Sequence, residues 1–140
     1  MKLFQKSPDG GKGSGVSAYF LIEWKRFFSI ALLHFNPGTR EAYHSHAFNA
    51  VTLWLSGTVE EQRIFSNDRK VLSSGAPVRW VAFTRYRAGQ WKLTTRDNMH
   101  RVKALTSAWA LTFRGPWVDR WQELKDGQIV TLTHGRKVVA

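Results

Sequence analysis

Short apolar stretches recur along the 140-residue chain, each closed by turn chemistry, and in several of them apolar and polar residues alternate with a period of two. That period puts successive side chains on opposite faces of a strand. The pattern predicts strands over 17–24, 27–35, 42–47, 49–55, 59–65, 78–84, 90–94, 101–105, 108–113, 121–124 and 129–133. Between them stand Asn36-Pro37-Gly38, Ser56-Gly57, Ser66-Asn67-Asp68, Ser74-Gly75-Ala76-Pro77, Gly115-Pro116 and Asp126-Gly127. These residues supply positive φ, a preset φ or local side-chain hydrogen bonds to the backbone. No stretch sustains a helical apolar period, so helices should be rare and short. Many short, evenly spaced strands predict an all-β sandwich or barrel, with the jelly roll among the standard solutions.

Alternation also proposes faces. Over 78–87, Val78, Trp80, Ala82 and Tyr86 share one face, and Arg79, Val81, Phe83, Arg85 and Arg87 the other. Trp109, Leu111 and Phe113 share a face that is expected to be core, and Trp80, Trp91, Trp109 and Trp121 are read as barrel packing. Ser7 to Gly15 is rich in Gly, Ser and Lys, so 1–15 is expected to be a flexible N-terminal arm and 16–140 a single barrel domain. At about 100 to 200 residues per domain, the length leaves no room for a second unit of ordinary size.

Composition narrows the chemistry. Hydrophobic residues at 43% and aromatics at 14% exclude a disordered or fibrous chain. The absence of cysteine excludes disulfides, zinc ribbons, iron–sulfur clusters and thiol nucleophiles, so a metal would be held by His, Asp or Glu. The net charge of +11 favours acidic ligands or polyanions. Arginines 79, 85, 87, 96, 101 and 114 are the candidates for a phosphate track, and the seven Trp for base stacking, but no nucleic-acid motif accompanies them. Neither a secretory apolar segment nor a run of 18 apolar residues is present. The expectation is a cytoplasmic protein without a membrane partner.

The histidines carry the sharpest signal. His44 and His46 stand two apart in Tyr43-His44-Ser45-His46-Ala47, which on a strand projects both imidazoles from one face. His100 stands just before the apolar segment 101–105. Three neutral imidazoles suit iron, copper, nickel, cobalt or zinc and leave coordination positions open. His34 is expected to be a satisfied or surface histidine, and His134 a solvated turn residue. Glu60 and Glu61 are adjacent on a strand, so at least one is expected to face solvent; a salt bridge to an arginine is the expected role, and metal ligation by either is the alternative.

These residues resemble the cupin superfamily, whose first motif runs Gly, five residues, His-x-His, three or four residues, Glu, six residues, Gly. Gly38, His44, His46 and Gly57 stand in register, while the glutamate position falls on Ala50 or Val51, with Asn49 the nearest polar residue. In the second motif Gly89 and His100 match, and Thr95 and Asp97 replace its proline and second glycine. The chain is also similar to short, largely uncharacterised cupin-like proteins of bacteriophages. It shares with them Gly57-Thr58-Val59-Glu60-Glu61, the segment closing on His100-Arg101-Val102, and the ending Trp109-Ala110-Leu111-Thr112-Phe113-Arg114-Gly115-Pro116.

The resemblance implies a cupin-type β-barrel, or double-stranded β-helix, with His44, His46 and His100 as ligands to a divalent metal. Fe(II) is favoured, with Mn, Ni and Zn as alternatives. A three-histidine set resembles that of thiol dioxygenases and of some diketone-cleaving cupins, so one expectation is a non-haem iron dioxygenase-like enzyme acting on a small acidic molecule. Tyr43, Asn49, Trp54, Arg96 and Arg101 are then candidates for substrate contact or for support of the ligands. An arginine there would favour a carboxylate or phosphate. The alternative, from another class, is a non-enzymatic phage protein, in the virion or in host cytoplasm, whose metal-free barrel and basic surface bind DNA or a protein. A homo-oligomer is compatible with either.

Overall fold

The structure, a computed structural model, describes residues 1–9, 14–39, 44–64, 81–96, 99–125, 128–133 and 137–139. Its strands are β1 (Lys2–Pro8), β2 (Val16–Trp24), β3 (Phe28–Phe35), β4 (Gly38–Thr39), β5 (Ala50–Ser56), β6 (Thr58–Ile64) and β7 (Val81–Arg87). They continue with β8 (Trp91–Thr94), β9 (His100–Ala104), β10 (Ala108–Arg114), β11 (Trp121–Lys125), β12 (Gln128–Thr133) and β13 (Lys137–Val138). Among the described residues there is no helix, hence none long and apolar enough to cross a membrane.

Among the described residues all strand pairs are antiparallel. A six-stranded sheet runs β1-β2-β3-β10-β5-β8, a four-stranded sheet β4-β9-β6-β7, and a three-stranded sheet β11-β12-β13. This is the jelly-roll arrangement that the spacing of strands and turns predicts. Two sheets each hide one face, and the core forms between them from Val16, Ala18, Phe20, Ala31, Leu33, Phe35 and Trp54 with Val59, Ala104, Ala108 and Ala110. Tyr86 packs inward on this core while Phe83, Arg85 and Arg87 are exposed, as the alternation in β7 requires. A smaller cluster of Ala47, Phe48 and Ala50 meets Trp117, Val118 and Trp121.

Three expectations are corrected. The first half of the expected arm is a strand: β1 lies along β2, from Lys2 opposite Glu23 to Pro8 opposite Ser17. Its exposed side chains carry no alternation, so only the backbone hydrogen bonds offered by the edge of β2 reveal it. The strand expected over 42–47 begins outside the described residues, and from His44 onward it is an isolated bridge followed by irregular backbone. The assignment of large aromatics to the core is inverted in β10. Ala108, Ala110, Thr112 and Arg114 face inward, while Trp109 and Phe113 are 37% and 41% exposed. Trp91 is exposed as well, Trp121 is half-buried, and Trp80, like His134, lies outside the described residues. The period is as expected, but a period alone does not say which face is inside.

Gly57 makes the crossing from β5 in one sheet to β6 in the other at φ +80°, a region open to glycine. A Cβ there would strike the Ser107 carbonyl and stand 2.7 Å from Ala108 Cα. Gly89, at φ +88°, has nothing within 4 Å. Gly57→Ala is therefore expected to lower unfolding free energy by about 3 kcal/mol, strain plus overpacking, and Gly89→Ala by about 1 kcal/mol, strain alone. Urea denaturation measures both, and equal losses would refute the backbone-contact account.

Candidate metal centre

The His44 segment is held by backbone bonds to two strands at once. His44 N–H donates to the His100 carbonyl at 2.9 Å, and His100 N–H donates back at 3.0 Å. Ser45 N–H donates to the Gln122 carbonyl at 2.8 Å, and Gln122 N–H to Ser45 Oγ at 2.9 Å. These bonds bring His44 and His46 against the first residue of β9. Ring centroids lie 4.7 Å apart for His44 and His46, 5.1 Å for His44 and His100, and 5.0 Å for His46 and His100. One ligand nitrogen from each falls within 4.8 Å of the others. The geometry thus joins the three histidines singled out in the sequence. It does so by a bridge between segments, not by one strand's face.

His100 Nδ1 lies 2.5 Å from Glu61 Oε2, so its N–H donates there and its Nε2 keeps a lone pair directed at the cluster. His46 Nε2 stands 2.8 Å from that Nε2. Two imidazole lone pairs at this distance repel unless a proton or a cation lies between them. Two nitrogens each about 2.1 Å from one ion and at about a right angle stand about 3 Å apart. His46 is already in the neutral form that a metal requires. Burial, followed by the neighbouring His44, His100, Arg114 and Lys92, holds its pKa well below the usual imidazole value. The donor set, its spacing and the lowered pKa of His46 fit a divalent ion.

Glu61 has the arginine partner expected of it, Arg63, but the sequence did not reveal its contacts with His100 and Lys92. It lies on β6 opposite Val102, diagonal to His100, and is 3% exposed. Lys92 reaches it from β8 in the other sheet as a buried ion pair and also stands 3.3 Å from His100 Nδ1. Arg63 Nη2 is 3.5 Å from its second oxygen. Burial pushes the Glu61 carboxyl upward, but the His100 hydrogen bond and the Lys92 charge outweigh it and hold the pKa down at about 2. Burial in turn lowers the Lys92 pKa, against the pull of Glu61. The expected pairing of Glu60 with an arginine is present at Arg85, 3.8 Å away.

Around the histidines lies a cavity of about 60 Å³, and one water takes about 10–15 Å³ on that measure. The inner face of the large sheet grades from apolar to polar toward it. The cross-strand rows run Leu33–Ala110–Trp54, then Ala31–Thr112–Thr52–Lys92, then Ser29–Arg114–Ala50–Thr94. Thr52 Oγ1 donates to Thr112 Oγ1 at 3.2 Å. Arg114 is buried and donates to both carboxylate oxygens of Asp9, at 2.8 and 3.3 Å, from between the Phe20 and Phe48 rings. Asp9 is itself delivered by the expected arm.

Of the five candidates for substrate contact or ligand support, Trp54 lines the cavity, and its buried indole N–H has no partner among the described residues. Tyr43 lies outside the described residues. Asn49 caps the Arg96 N–H at 2.9 Å on the surface, and Arg101 donates to Gln62 at 2.5 Å; neither they nor Arg96 line the cavity. The arginine at the cavity is Arg114. Of the arginines considered for a phosphate track, Arg114 is interior, Arg85 and Arg87 lie on β7, Arg101 on β9 and Arg96 in a turn, and Arg79 lies outside the described residues. His34, as expected, is satisfied, 2.8 Å from Ser107 Oγ.

No protein-family model and no curated protein matches the chain. Solved structures do. An RmlC-like cupin from Shewanella frigidimarina superposes with a TM-score of 0.54 at 13% identity, over 76% of this chain and 80% of that one. KdgF from Halomonas sp. gives 0.54 at 12%, over 79% and 87%. Ectoine synthase from P. lautus gives 0.56 at 12%, over 79% and 70%. The fold is that of the cupin jelly roll, and these similarities lend no support to a phage origin.

Two outcomes follow for Glu61→Gln. With the His100 ring no longer anchored by a carboxylate, affinity for Co(II) or Zn(II), measured by titration, should fall about 10- to 100-fold. Because the carboxyl is held below its unfolded value of about 4.3, its contribution to stability is complete above about pH 5 and fades as pH falls toward about 2. The urea midpoint of the wild type should therefore drop across that window, and that of the variant should be flatter. A variant with the wild-type acid slope would remove Glu61 from the account.

Proposed function

We propose, on the premise of a cupin barrel holding three imidazoles, that this protein is a metal-binding cupin in which His44, His46 and His100 carry a divalent ion, Fe(II) foremost. The small acidic molecule it acts on would occupy the adjoining cavity. The observation that carries this reading is the convergence of the three rings, with His46 and His100 joined at 2.8 Å and His100 backed by Glu61. A bound ion would supply Lewis acidity and a template for the substrate; with iron it would also supply the redox capacity of a dioxygenase-like reaction.

Charge accounting supports an acidic ligand. Among the described residues, the two cations lining the cavity are each matched by a carboxylate, Lys92 by Glu61 and Arg114 by Asp9. Neutral imidazoles add nothing, so a divalent ion would bring a double positive charge that these two pairs do not compensate. An anionic ligand neutralises it at the least cost in desolvation. Thr52, Thr94 and Thr112 line the same space with hydroxyl groups, and the Trp54 indole N–H is a further donor without a partner among the described residues. The apolar side, Val16, Leu33 and Phe35, excludes water from the ligand's other face.

Untagged protein reconstituted anaerobically with Fe(II) should bind about one equivalent by elemental analysis after desalting. The variant with all three histidines replaced by Ala should bind none. A wild type that remains metal-free rejects the reading. Calorimetric titration with oxalate or another small dicarboxylate should give binding to the loaded protein and none to the metal-free form; no binding to either would reject the acidic ligand.

A further inference from the structure

The outer face of the four-stranded sheet turns away from the cavity. On β9, His100, Val102 and Ala104 line the cavity or the core, so Arg101 and Lys103 take the outer side. On β6 and β7, Val59, Glu61 and Tyr86 point inward, and the same alternation leaves Thr58, Glu60, Gln62, Phe83, Arg85 and Arg87 outside. The cross-strand register sets these side chains in three rows: Lys103, Glu60 and Arg85; Arg101, Gln62 and Phe83; Thr58 and Arg87. Phe83 is 62% exposed, and the Arg85 side chain 63%. Arg101 Nε donates to Gln62 Oε1 at 2.5 Å, Gln62 Nε2 donates to Glu60 Oε1 at 3.1 Å, and Glu60 Oε2 lies 3.8 Å from Arg85 Nε. A polar chain thus crosses three strands and ends on a guanidinium at each side.

Three of the arginines singled out in the sequence, Arg85, Arg87 and Arg101, therefore meet Lys103 on one surface, although β6 stands between their strands. With strands about 4.8 Å apart and alternate residues about 7 Å apart, the four Cα positions fit within roughly 10 by 14 Å. That is comparable to the Debye length of about 8 Å at physiological salt, so the four charges act together. Against them, Glu60 is the one acid on this face among the described residues. A polyanion is the partner that such a surface attracts.

We propose that this face holds a single strand of nucleic acid, with Phe83 stacked on a base and Arg85, Arg87, Arg101 and Lys103 on the phosphates beside it. An exposed aromatic set among Arg and Lys holds single strands without a sequence motif, because every base has a π-face and every nucleotide a charge. Arginine outnumbers lysine here, and its planar fork both grips phosphate and stacks on aromatic faces. In a duplex the bases already stack on one another, which leaves Phe83 without a role. A bilayer is the poorer match: an interfacial surface sinks a broad apolar side below the headgroups, whereas Phe83 stands opposite Gln62 and beside Glu60 and Arg85. The face is separate from the histidines, since β9 turns His100 inward and Arg101 outward.

Fluorescence anisotropy of a labelled oligothymidylate about 12 nucleotides long, titrated with the full chain, tests the proposal. The strand should bind, and the logarithm of its affinity should fall against that of salt with a slope of about −2.8, four phosphate contacts at about −0.7 each. Replacing both Arg85→Gln and Arg87→Gln should bring the slope to about −1.4. Phe83→Ala should weaken binding roughly 5- to 150-fold, the loss of one stacked base, and leave the slope unchanged. Lys6→Gln, on β1 in the other sheet, removes one charge elsewhere and should change neither. All these changes fall at exposed positions, so the circular dichroism of each variant should be that of the wild type. Absence of binding at about 50 mM salt overturns the proposal. So does a Phe83→Ala variant that binds like the wild type, a Lys6→Gln variant as weak as the arginine pair, or equal affinity for a duplex of the same length. Competition by polyglutamate as effective as that by unlabelled strand assigns the face to an acidic protein and equally overturns it.

Discussion

The buried carboxylate of Glu61 is the interaction on which the interior depends. It rises from β6 in the four-stranded sheet, takes the His100 N–H from β9 beside it, and meets Lys92 coming across from β8 in the six-stranded sheet. One side chain therefore ties the two layers together beneath the histidines and fixes the tautomer of the ring above. A buried ion pair is weak evidence for stability as such, but removing one partner leaves the other's charge stranded, at a cost of about 3–5 kcal/mol. The arrangement is thus self-enforcing: Glu61 and Lys92 each make the other's burial tolerable, and His100 is held between them.

The six-stranded sheet separates two environments by alternation alone. Inside, its side chains are small or polar at one end, Ala31, Thr52, Thr112, Lys92 and Arg114, so the barrel cannot close up there and a cavity remains. At the other end Leu33, Phe35 and Trp54 fill the space, with Phe35 and Trp54 ring centres 5.3 Å apart. Outside, the same strands carry the bulk of the large apolar residues. The aromatic richness of the chain is consequently divided between a packed half-core and an external face, and the histidines sit where the packing ends.

The charge of +11 has a similarly uneven distribution. Two of the cations are drawn inside and neutralised, Lys92 by Glu61 and Arg114 by Asp9. Asp9 comes from the segment just after β1, so the N-terminal strand contributes to the cavity wall as well as to the sheet edge. The acidic residue that the cupin motif would place at Ala50 or Val51 has no counterpart there: Ala50 is buried beside Thr94, and Val51 points outward. Glu61 stands behind His100, where its carboxylate orients the ligand instead of joining it.

What the sequence determined by itself is local and periodic. Alternation and turn residues specified an all-β chain and most strand positions, because the period of two is a property of the backbone. The absence of cysteine and the spacing of His44, His46 and His100 against Gly38, Gly57 and Gly89 marked the candidate ligands. The tertiary structure alone decided which face of each strand is inside, because that depends on what the opposite sheet offers: Ala and Thr for β10, where the sequence favours Trp and Phe. It decided, too, that β1 pairs, through backbone bonds blind to side-chain type. And it joined Glu61, Lys92 and His100, which are distant along the chain or on separate sheets, into one hydrogen-bonded group, since cross-strand register and sheet-to-sheet packing leave no mark in the sequence of either strand.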